Sequence, residues 1–309
     1  MPCKYDLLII GDAVLDLYFN IKSFPVLAGT TNISPDMQIS PGGPVALAII
    51  ASKLGLNVAF YDQIGSDIFG DYIKQKLQEA GISTEYVLME NDISTPISIN
   101  IVDADKNHSF IGYLGSGDSL NYIDKTIIQN SDAIFFEGYN LTKFSRTYKS
   151  ILNVAETARL YKKYIFFDPG PLIKDIKNIE KFMEISDTVF LNQEELLDYV
   201  KLPLNDSIEY LMNKNNGNYV LKLGKQGSVL IAEKKKTMCK SIKTEMIKNT
   251  IGAGDAFDAG YMAALLKGHD SKIACIVANT IAHIRLSEGI NVNNDLEKII
   301  EIIKMNYKV

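Results

Sequence analysis

The chain contains no tryptophan among its 309 residues, and only three cysteines and three histidines. Cys3, Cys239 and Cys275 are odd in number, far apart and never in a Cys-x-x-Cys pair, which argues against a disulfide framework and for a reducing compartment. His108, His269 and His283 lack metal-ligand spacing, so no structural zinc is expected. Basic charge is not in excess either: the net charge is -5 and the pI near 5.4, which leaves no electrostatic footprint for nucleic acid. Lys234, Lys235 and Lys236 follow Glu233 and read as a solvated turn. No apolar run approaches the roughly 20 residues of a membrane span. Lys4 leads directly into an apolar strand, without the succession of a secretion signal, so the expected location is the cytoplasm, away from membranes. Two phosphate-binding fingerprints are also missing, Gly-x-x-x-x-Gly-Lys-Ser/Thr and Gly-x-Gly-x-x-Gly.

What is present suits a large α/β fold. Hydrophobic residues make up 47% of the chain, enough for an extensive core. Short continuous apolar runs recur at residues 6–10, 133–136, 164–167, 188–191 and 219–223, mostly separated by helical patterns. Strands of this type are buried on both faces, and their alternation with helices predicts a doubly wound, mainly parallel sheet flanked by helices. Ligands of such sheets bind beyond the carboxyl ends of the strands. At those ends stand Gly11-Asp12, Glu137-Gly138, Asp168-Pro169-Gly170, Asn192 with Glu194 and Glu195, and Gly224, which predicts a carboxylate-lined cleft. Each residue alone also fits an ordinary loop; five sets in register favour the cleft.

Two segments have a different rhythm. Leu15, Leu17, Phe19 and Ile21 alternate with polar residues and Tyr18, as Ile97, Ile99 and Ile101 alternate with Ser98 and Asn100. These predict one-faced antiparallel strands, the first returning through residues 32–39 and the second pairing with 109–114. Together they would form a small antiparallel β lid at 13–39 and 95–115, over a core of 1–12, 40–94 and 116–309. Asp16 would then face the cleft, within reach of a substrate hydroxyl, or serve only as an outward strand residue. The lid's one-sided apolar pattern suggests a homodimer through the lid, although a lid covering its own cleft buries the same residues. Pro41-Gly42-Gly43-Pro44 leads into a helix at 45–54, which Gly55 would end and whose residues 45–51 are all apolar, so this glycine-rich start opens toward the interior.

The most informative stretch runs Asn249-Thr250-Ile251-Gly252-Ala253-Gly254-Asp255-Ala256-Phe257-Asp258-Ala259-Gly260. Glycines one residue apart allow a tight turn into a helix, whose free amides and positive dipole end attract an anion. Asp255 in the first helical turn could accept a proton from a hydroxyl attacking a bound phosphate, which points to phosphoryl transfer to an alcohol. The plainer reading is an acidic residue that satisfies helix amides.

The ordering of Gly42-Gly43 before a buried helix, Asp62-Gln63-Ile64-Gly65-Ser66-Asp67-Ile68-Phe69-Gly70, Asn192-Gln193-Glu194-Glu195, Leu223-Gly224-Lys225-Gln226-Gly227 and the terminal stretch from Asn249 resembles the ribokinase-like, or PfkB, carbohydrate kinase family nearly end to end. That resemblance implies an α/β domain with a β lid, and transfer of the γ-phosphoryl group of ATP, with Mg²⁺, to a sugar, sugar derivative or nucleoside. It implies Asp255 as catalytic base, with the amides of Gly252, Ala253 and Gly254 as the anion hole. Asp16, Gly42, Gly43 and Glu137 would bind the acceptor, and Asn192, Gly224, Gly227 and Asn279 the nucleotide. Lys222 replaces a common threonine and would contact the phosphates or point to solvent. Glu195, rather than Glu194, would organise the metal through water. Departures from the family pattern are Leu47 in place of an acceptor-binding asparagine, Pro44-Val45 in place of Lys-Gly, which disfavours ribose, and Asn249 in place of an aspartate, which puts a monovalent cation in doubt. A nucleoside kinase using lid aromatics Tyr18, Phe110 or Tyr113 is the alternative. A non-catalytic sugar- or nucleotide-binding regulator has no use for a base beside an anion hole.

Overall fold

A computed structural model describes residues 4–105, 107–121, 123–214, 217–240, 252–288 and 296–307; Cys3 and Asn249 lie outside them. The first strands are β1 (Tyr5–Ile10), β2 (Val14–Asn20), β3 (Met37–Gly42), β4 (Val58–Gly65), β5 (Ser83–Glu90), β6 (Ile97–Val102) and β7 (His108–Tyr113). They are followed by β8 (Ser131–Glu137), β9 (Tyr164–Asp168), β10 (Thr188–Asn192), β11 (Asn218–Lys222), β12 (Ser228–Ala232) and β13 (Lys235–Cys239). The helices are α1 (Gly43–Lys53), α2 (Ile68–Glu79), α3 (Lys125–Gln129), α4 (Arg146–Leu160) and α5 (Ile179–Ile185). After these come α6 (Gln193–Val200), α7 (Leu204–Asn213), α8 (Ala253–Leu266), α9 (Ser271–Glu288) and α10 (Leu296–Tyr307).

Nine strands form one sheet in the order β13-β12-β11-β10-β9-β8-β1-β4-β5. The seven from β11 to β5 run parallel, while β12 and β13 are antiparallel additions at one edge. Successive side chains enter opposite cores, as a strand's period of two requires. Leu7 and Ile9 of β1 join α1, α8 and α9 on one face, whereas Leu8 and Ile10 join α4 and α5 on the other. The doubly wound sheet is therefore present with all five strands anticipated from apolar runs. Four others, β4, β5, β12 and β13, lacked a clean pattern. In β4 every residue is buried although Asp62 and Gln63 interrupt the apolar run; Asp62 is accommodated because the Ala13 amide donates to its Oδ2 at 2.7 Å. The turn between β12 and β13 consists of Glu233 and Lys234, both with positive φ, whereas Lys235 and Lys236, read as part of the turn, pair with β12 as the start of β13.

The second sheet has the order β3-β2-β6-β7. β2 with β3 and β6 with β7 are antiparallel, but the two pairs join through a parallel β2–β6 pairing that the hairpin reading did not include. The return strand also lies later than residues 32–39, at Met37–Gly42. It takes in Pro41 because β3 is an edge strand, where a missing N–H costs no ladder bond. Residues opposite one another across the strands share a face. Asp16, Ser40, Ser98 and Gly112 line one face with Tyr18, Asn100 and Phe110; Leu17, Ile39, Ile99 and Ile111 line the other with Tyr113.

α1 begins at Gly42 as N-cap with proline in its first turn and buries Pro44, Val45, Leu47, Ala48, Ile50 and Ala51. α8 and α9 pack closely at Gly260, where an added methyl would lie 3.1 Å from Ala278 Cα and from Ile281 Cβ. Gly260→Ala is expected to destabilise the protein by about 1–3 kcal/mol through overpacking, read as a lower urea midpoint at unchanged slope; an unchanged midpoint would mean that the helices separate freely.

Candidate active site

The carboxyl ends of the parallel strands collect the polar residues that the sequence placed there. Glu137 and Asp168 are register partners at the ends of β8 and β9, and Asn192 and Lys222 are partners at the ends of β10 and β11. Above them α8 starts at Gly252, whose φ of 76° lies in the left-handed region that glycine enters without strain. Gly252 provides no side-chain cap, so the first-turn amides at Ala253, Gly254 and Asp255 remain the positive end of the helix. Asp255 stands in this turn. Burial raises its pKa to about 7, with Asp168 and Asp16 raising it further and Lys222 and Arg285 opposing them.

On the lid, Asp16 accepts from Tyr18 Oη at 3.0 Å and from Asn100 Nδ2 at 3.2 Å. Burial lifts its pKa above the ordinary carboxylate value despite these donors. A methyl on Gly42 would sit 2.4 Å from the Asp16 carboxylate, so only glycine lets backbone and carboxylate approach this closely. At Gly43, with φ of 50°, a methyl would lie 3.9 Å from Glu137 Oε2 and 3.6 Å from the Asp12 carbonyl. Asp16, Gly42, Gly43 and Glu137 thus border one space. Burial, followed by repulsion from Asp255, Asp168 and Asp12, drives the Glu137 pKa well upward.

Lys222 does not point to solvent, one of the two positions anticipated for it. Its Nζ donates to Asp168 Oδ2 at 2.7 Å and lies 3.2 Å from Asp258 Oδ2, buried between the two carboxylates. This cation holds Asp168 below its ordinary pKa against the opposing effect of burial, while burial pushes Asp258 well up. Asn279 is not helix surface either: it is 5% exposed, and its Nδ2 donates to Ser228 Oγ and the Cys239 carbonyl at 3.0 Å each. It ties α9 to β12 and β13.

Asn192 and Glu195 form a reciprocal capping box on α6. Asn192 N and Nδ2 donate to the Glu195 carboxylate at 2.7 and 2.6 Å, and Glu195 N donates to Asn192 Oδ1 at 2.9 Å. Glu195 is buried whereas Glu194 is exposed. Burial and then Asp168 raise the Glu195 pKa to about 7. Both Glu195 oxygens are engaged within the box, and among the described residues no group of three or more acidic, His or Cys side chains is arranged to hold a metal ion. Gly224 has φ of 54° and open space where a side chain would project, and Gly227 has φ of 97°; both belong to the turn that closes from Leu223 N to the Gly227 carbonyl at 2.8 Å.

Two residues at this cleft, Asn100 and Arg285, carried no site role in the sequence, and Asp12, anticipated only as a strand-end cleft residue, joins them. Asn100, 1% exposed, orients Asp16. Asp12, with φ of 61°, accepts from Asn140, and burial and Asp62 drive its pKa well up. Arg285 is 7% exposed, and a methyl on Gly252 would lie 3.0 Å from its Nη2. One of only three arginines in the chain, it falls four residues beyond Ile281 and eight beyond Val277, on the buried stripe of α9. That spacing was the signal available.

The raised carboxylates have a consequence for stability. Asp62, Glu195 and Asp255, each with a folded pKa of about 7, keep protons that the unfolded chain releases near pH 4, so folding binds protons between these limits. The stabilisation is complete below about pH 4 and is lost as pH rises through about 7. The ligand-free protein is therefore expected to melt several degrees lower near pH 8 than near pH 5.5, with Asp255→Asn narrowing the gap, as measured by scanning calorimetry. A midpoint that rises across this interval would contradict the assigned shifts.

The arrangement agrees with sequence comparison. The profile of the pfkB family carbohydrate kinases matches residues 4–297. The chain is 28% identical over 280 residues to a nucleoside kinase of Methanothermobacter thermautotrophicus, covering 90% of this chain and 88% of that protein. It is 22% identical over 270 residues to a ribokinase of Staphylococcus aureus, covering 85% and 87%. The structure of Arabidopsis thaliana ribokinase complexed with ribose and ATP superposes with a TM-score of 0.82 at 21% identity, over 98% of this chain and 99% of that one. Fold, strand-end carboxylates and an uncapped helix start behind a four-stranded lid accompany a family match spanning nearly the whole chain: the protein belongs to the pfkB family of carbohydrate kinases.

Proposed function

We propose that this protein transfers the γ-phosphoryl group of ATP to a hydroxyl of a sugar or sugar derivative, with Asp255 as the base. The observation that carries this reading is the position of Asp255, in the first turn of an uncapped helix and with its pKa raised to about 7. A base of that pKa is half ionised near neutral pH, which suits proton acceptance in the transition state. Asp16 and the Gly42–Gly43 turn hold the acceptor from the lid side, with Glu137 beneath it. The amides of Gly252, Ala253 and Gly254 receive the transferring group.

Asn192 and the open turn at Gly224 and Gly227 border the nucleotide. Lys222 fixes Asp168 and Asp258 rather than touching phosphate, and Asn279 braces the wall behind the nucleotide. Mg²⁺ held through water by Glu195 would offset phosphate charge. Residues 13–39 and 95–115 act as a lid over the rest of the chain, excluding water when the acceptor is bound. The reaction takes place in the cytoplasm; among the described residues no helix is long and apolar enough to cross a membrane.

A nucleoside acceptor is the second reading. Phe110 and Tyr18 share the lid face of Asp16 and Asn100, where a base would stack, while Tyr113 is on the opposite face. The Methanothermobacter relative is named a nucleoside kinase. Magnesium-dependent ADP formation measured across sugars, sugar acids and nucleosides distinguishes the acceptors, and ATP binding with no turnover on any of them would favour a regulator. With the acceptor so found, Asp255→Asn should lower kcat by about 10²–10⁴-fold, and wild-type kcat/KM should rise with pH through about 7 as the base ionises. Full turnover in that variant would falsify the assignment.

The apolar lid face supports a homodimer in which two lids meet. Phe19, Met37, Ile99 and Ile101 line a groove there, and Ile111 and Tyr113 continue the same face while remaining more than half exposed. Ile99→Asp should reduce a dimer to monomers in sedimentation velocity; a wild-type monomer would remove this part of the reading.

A further inference from the structure

Arg285 is a buried cation at the edge of the phosphoryl hole. Its side chain is 93% buried by the exposure of 7%, and its guanidinium packs against Gly252, the N-cap of α8. The enclosed Nε has no hydrogen-bond partner among the described residues. Tyr18, Asp255 and Asp16 reach it through charge across the cleft. Burial lowers its pKa, yet a guanidinium stays protonated in a protein. An enclosed charged donor without a partner costs folding free energy, so the fold holds Arg285 here at a loss until a ligand oxygen arrives. Gly260 makes the placement possible, because the close approach of α8 and α9 carries Arg285, one helical turn past Ile281, beneath the start of α8. The guanidinium and the free amides of Ala253, Gly254 and Asp255 thus bound the same space from two sides. A planar array of donors beside free amides suits an oxyanion with several oxygens.

Building on the kinase reading, we propose that Arg285 is a further catalytic residue, a cation supplied from within the chain that binds a non-bridging oxygen of the γ-phosphoryl group as it transfers. In that step the acceptor oxygen forms a bond to the γ-phosphorus while the bond to the bridging oxygen breaks and leaves its electron pair on ADP. The hydroxyl proton passes to Asp255. Arg285 transfers no proton; it donates hydrogen bonds to the charge spread over the phosphoryl oxygens, the task that a cis arginine performs in other phosphoryl transferases. Both Asp255 and Asp16 lie within reach of this cation's charge, so it also limits the repulsion between base and acceptor-binding carboxylate.

The test compares wild type, Arg285→Gln and Arg285→Lys in calorimetric titrations with Mg·ADP and with Mg·ADP plus aluminium fluoride, a mimic of the transferring group. Circular dichroism melts establish that each variant is folded. Arg285→Gln is expected to bind ADP within about twofold of wild type but the fluoride complex about 10²–10³-fold more weakly, with Arg285→Lys in between. Should Arg285→Gln not fold, Arg285→Lys keeps the charge without the fork and is expected to lose about tenfold on the fluoride complex alone. Wild-type affinity of the folded variants for both complexes overturns the proposal. So does a defect confined to the KM of an anionic acceptor, which would assign Arg285 to the acceptor's own acid group. Wild-type protein that binds neither nucleotide complex would remove the kinase reading, a result distinct from equal binding by wild type and variant.

Discussion

The constraint on which this structure turns is the crowding of carboxylates at the carboxyl edge of a parallel sheet. Asp12, Glu137, Asp168, Asp255 and Asp258 act on one another's ionisation within one cleft, largely withdrawn from water. Repulsion there is offset in three ways: protons retained by burial, the ammonium of Lys222, and the guanidinium of Arg285. The helix dipole of α8 adds a fourth positive element at the same point. Parallel topology makes this crowding unavoidable, since every strand from β11 to β5 ends at one edge. The resulting field is negative at the walls and positive at the turn where Gly252 begins the helix.

Much of this was legible in the sequence because the informative residues stood next to strong structural punctuation. Gly42-Gly43 and Gly252 to Asp255 each combine a backbone requirement with a helix start, and both lie where their local chemistry indicated. Lys222 and Asn279 were harder, because their partners come from elsewhere in the fold. Lys222 pairs with Asp168, fifty-four residues away, and with Asp258, thirty-six away; no local pattern carries that. Arg285 was readable only by extending the buried stripe of α9 by one turn, and its neighbour Gly252 belongs to a different helix. β3 was displaced from its expected position because Pro41 was read as a helix leader, when an edge strand tolerates it.

The lid divides its labour by the alternation of its strands. Asp16, Asn100, Tyr18 and Phe110 turn one way and the isoleucines of β6 the other, so the same four strands present a polar, aromatic-lined face and an apolar face on opposite sides. A one-residue slip between β2 and β6 would exchange the two faces. The pairing of Asn100 with Asp16 across these strands holds the register at the position where a slip would turn the Asp16 carboxylate away from Asn100.

Lys222 gives the carboxylates at the end of β9 and on α8 a counter-ion that cannot leave. Diffusible cations around carboxylates exchange with the medium and respond to its ionic strength, whereas an ammonium tethered through a lysine side chain, enclosed between Asp168 and Asp258, is screened little by added salt. The electrostatic setting of the cleft is thus written into covalent structure rather than borrowed from the surrounding solution, and it travels unchanged with the protein from one ionic environment to another.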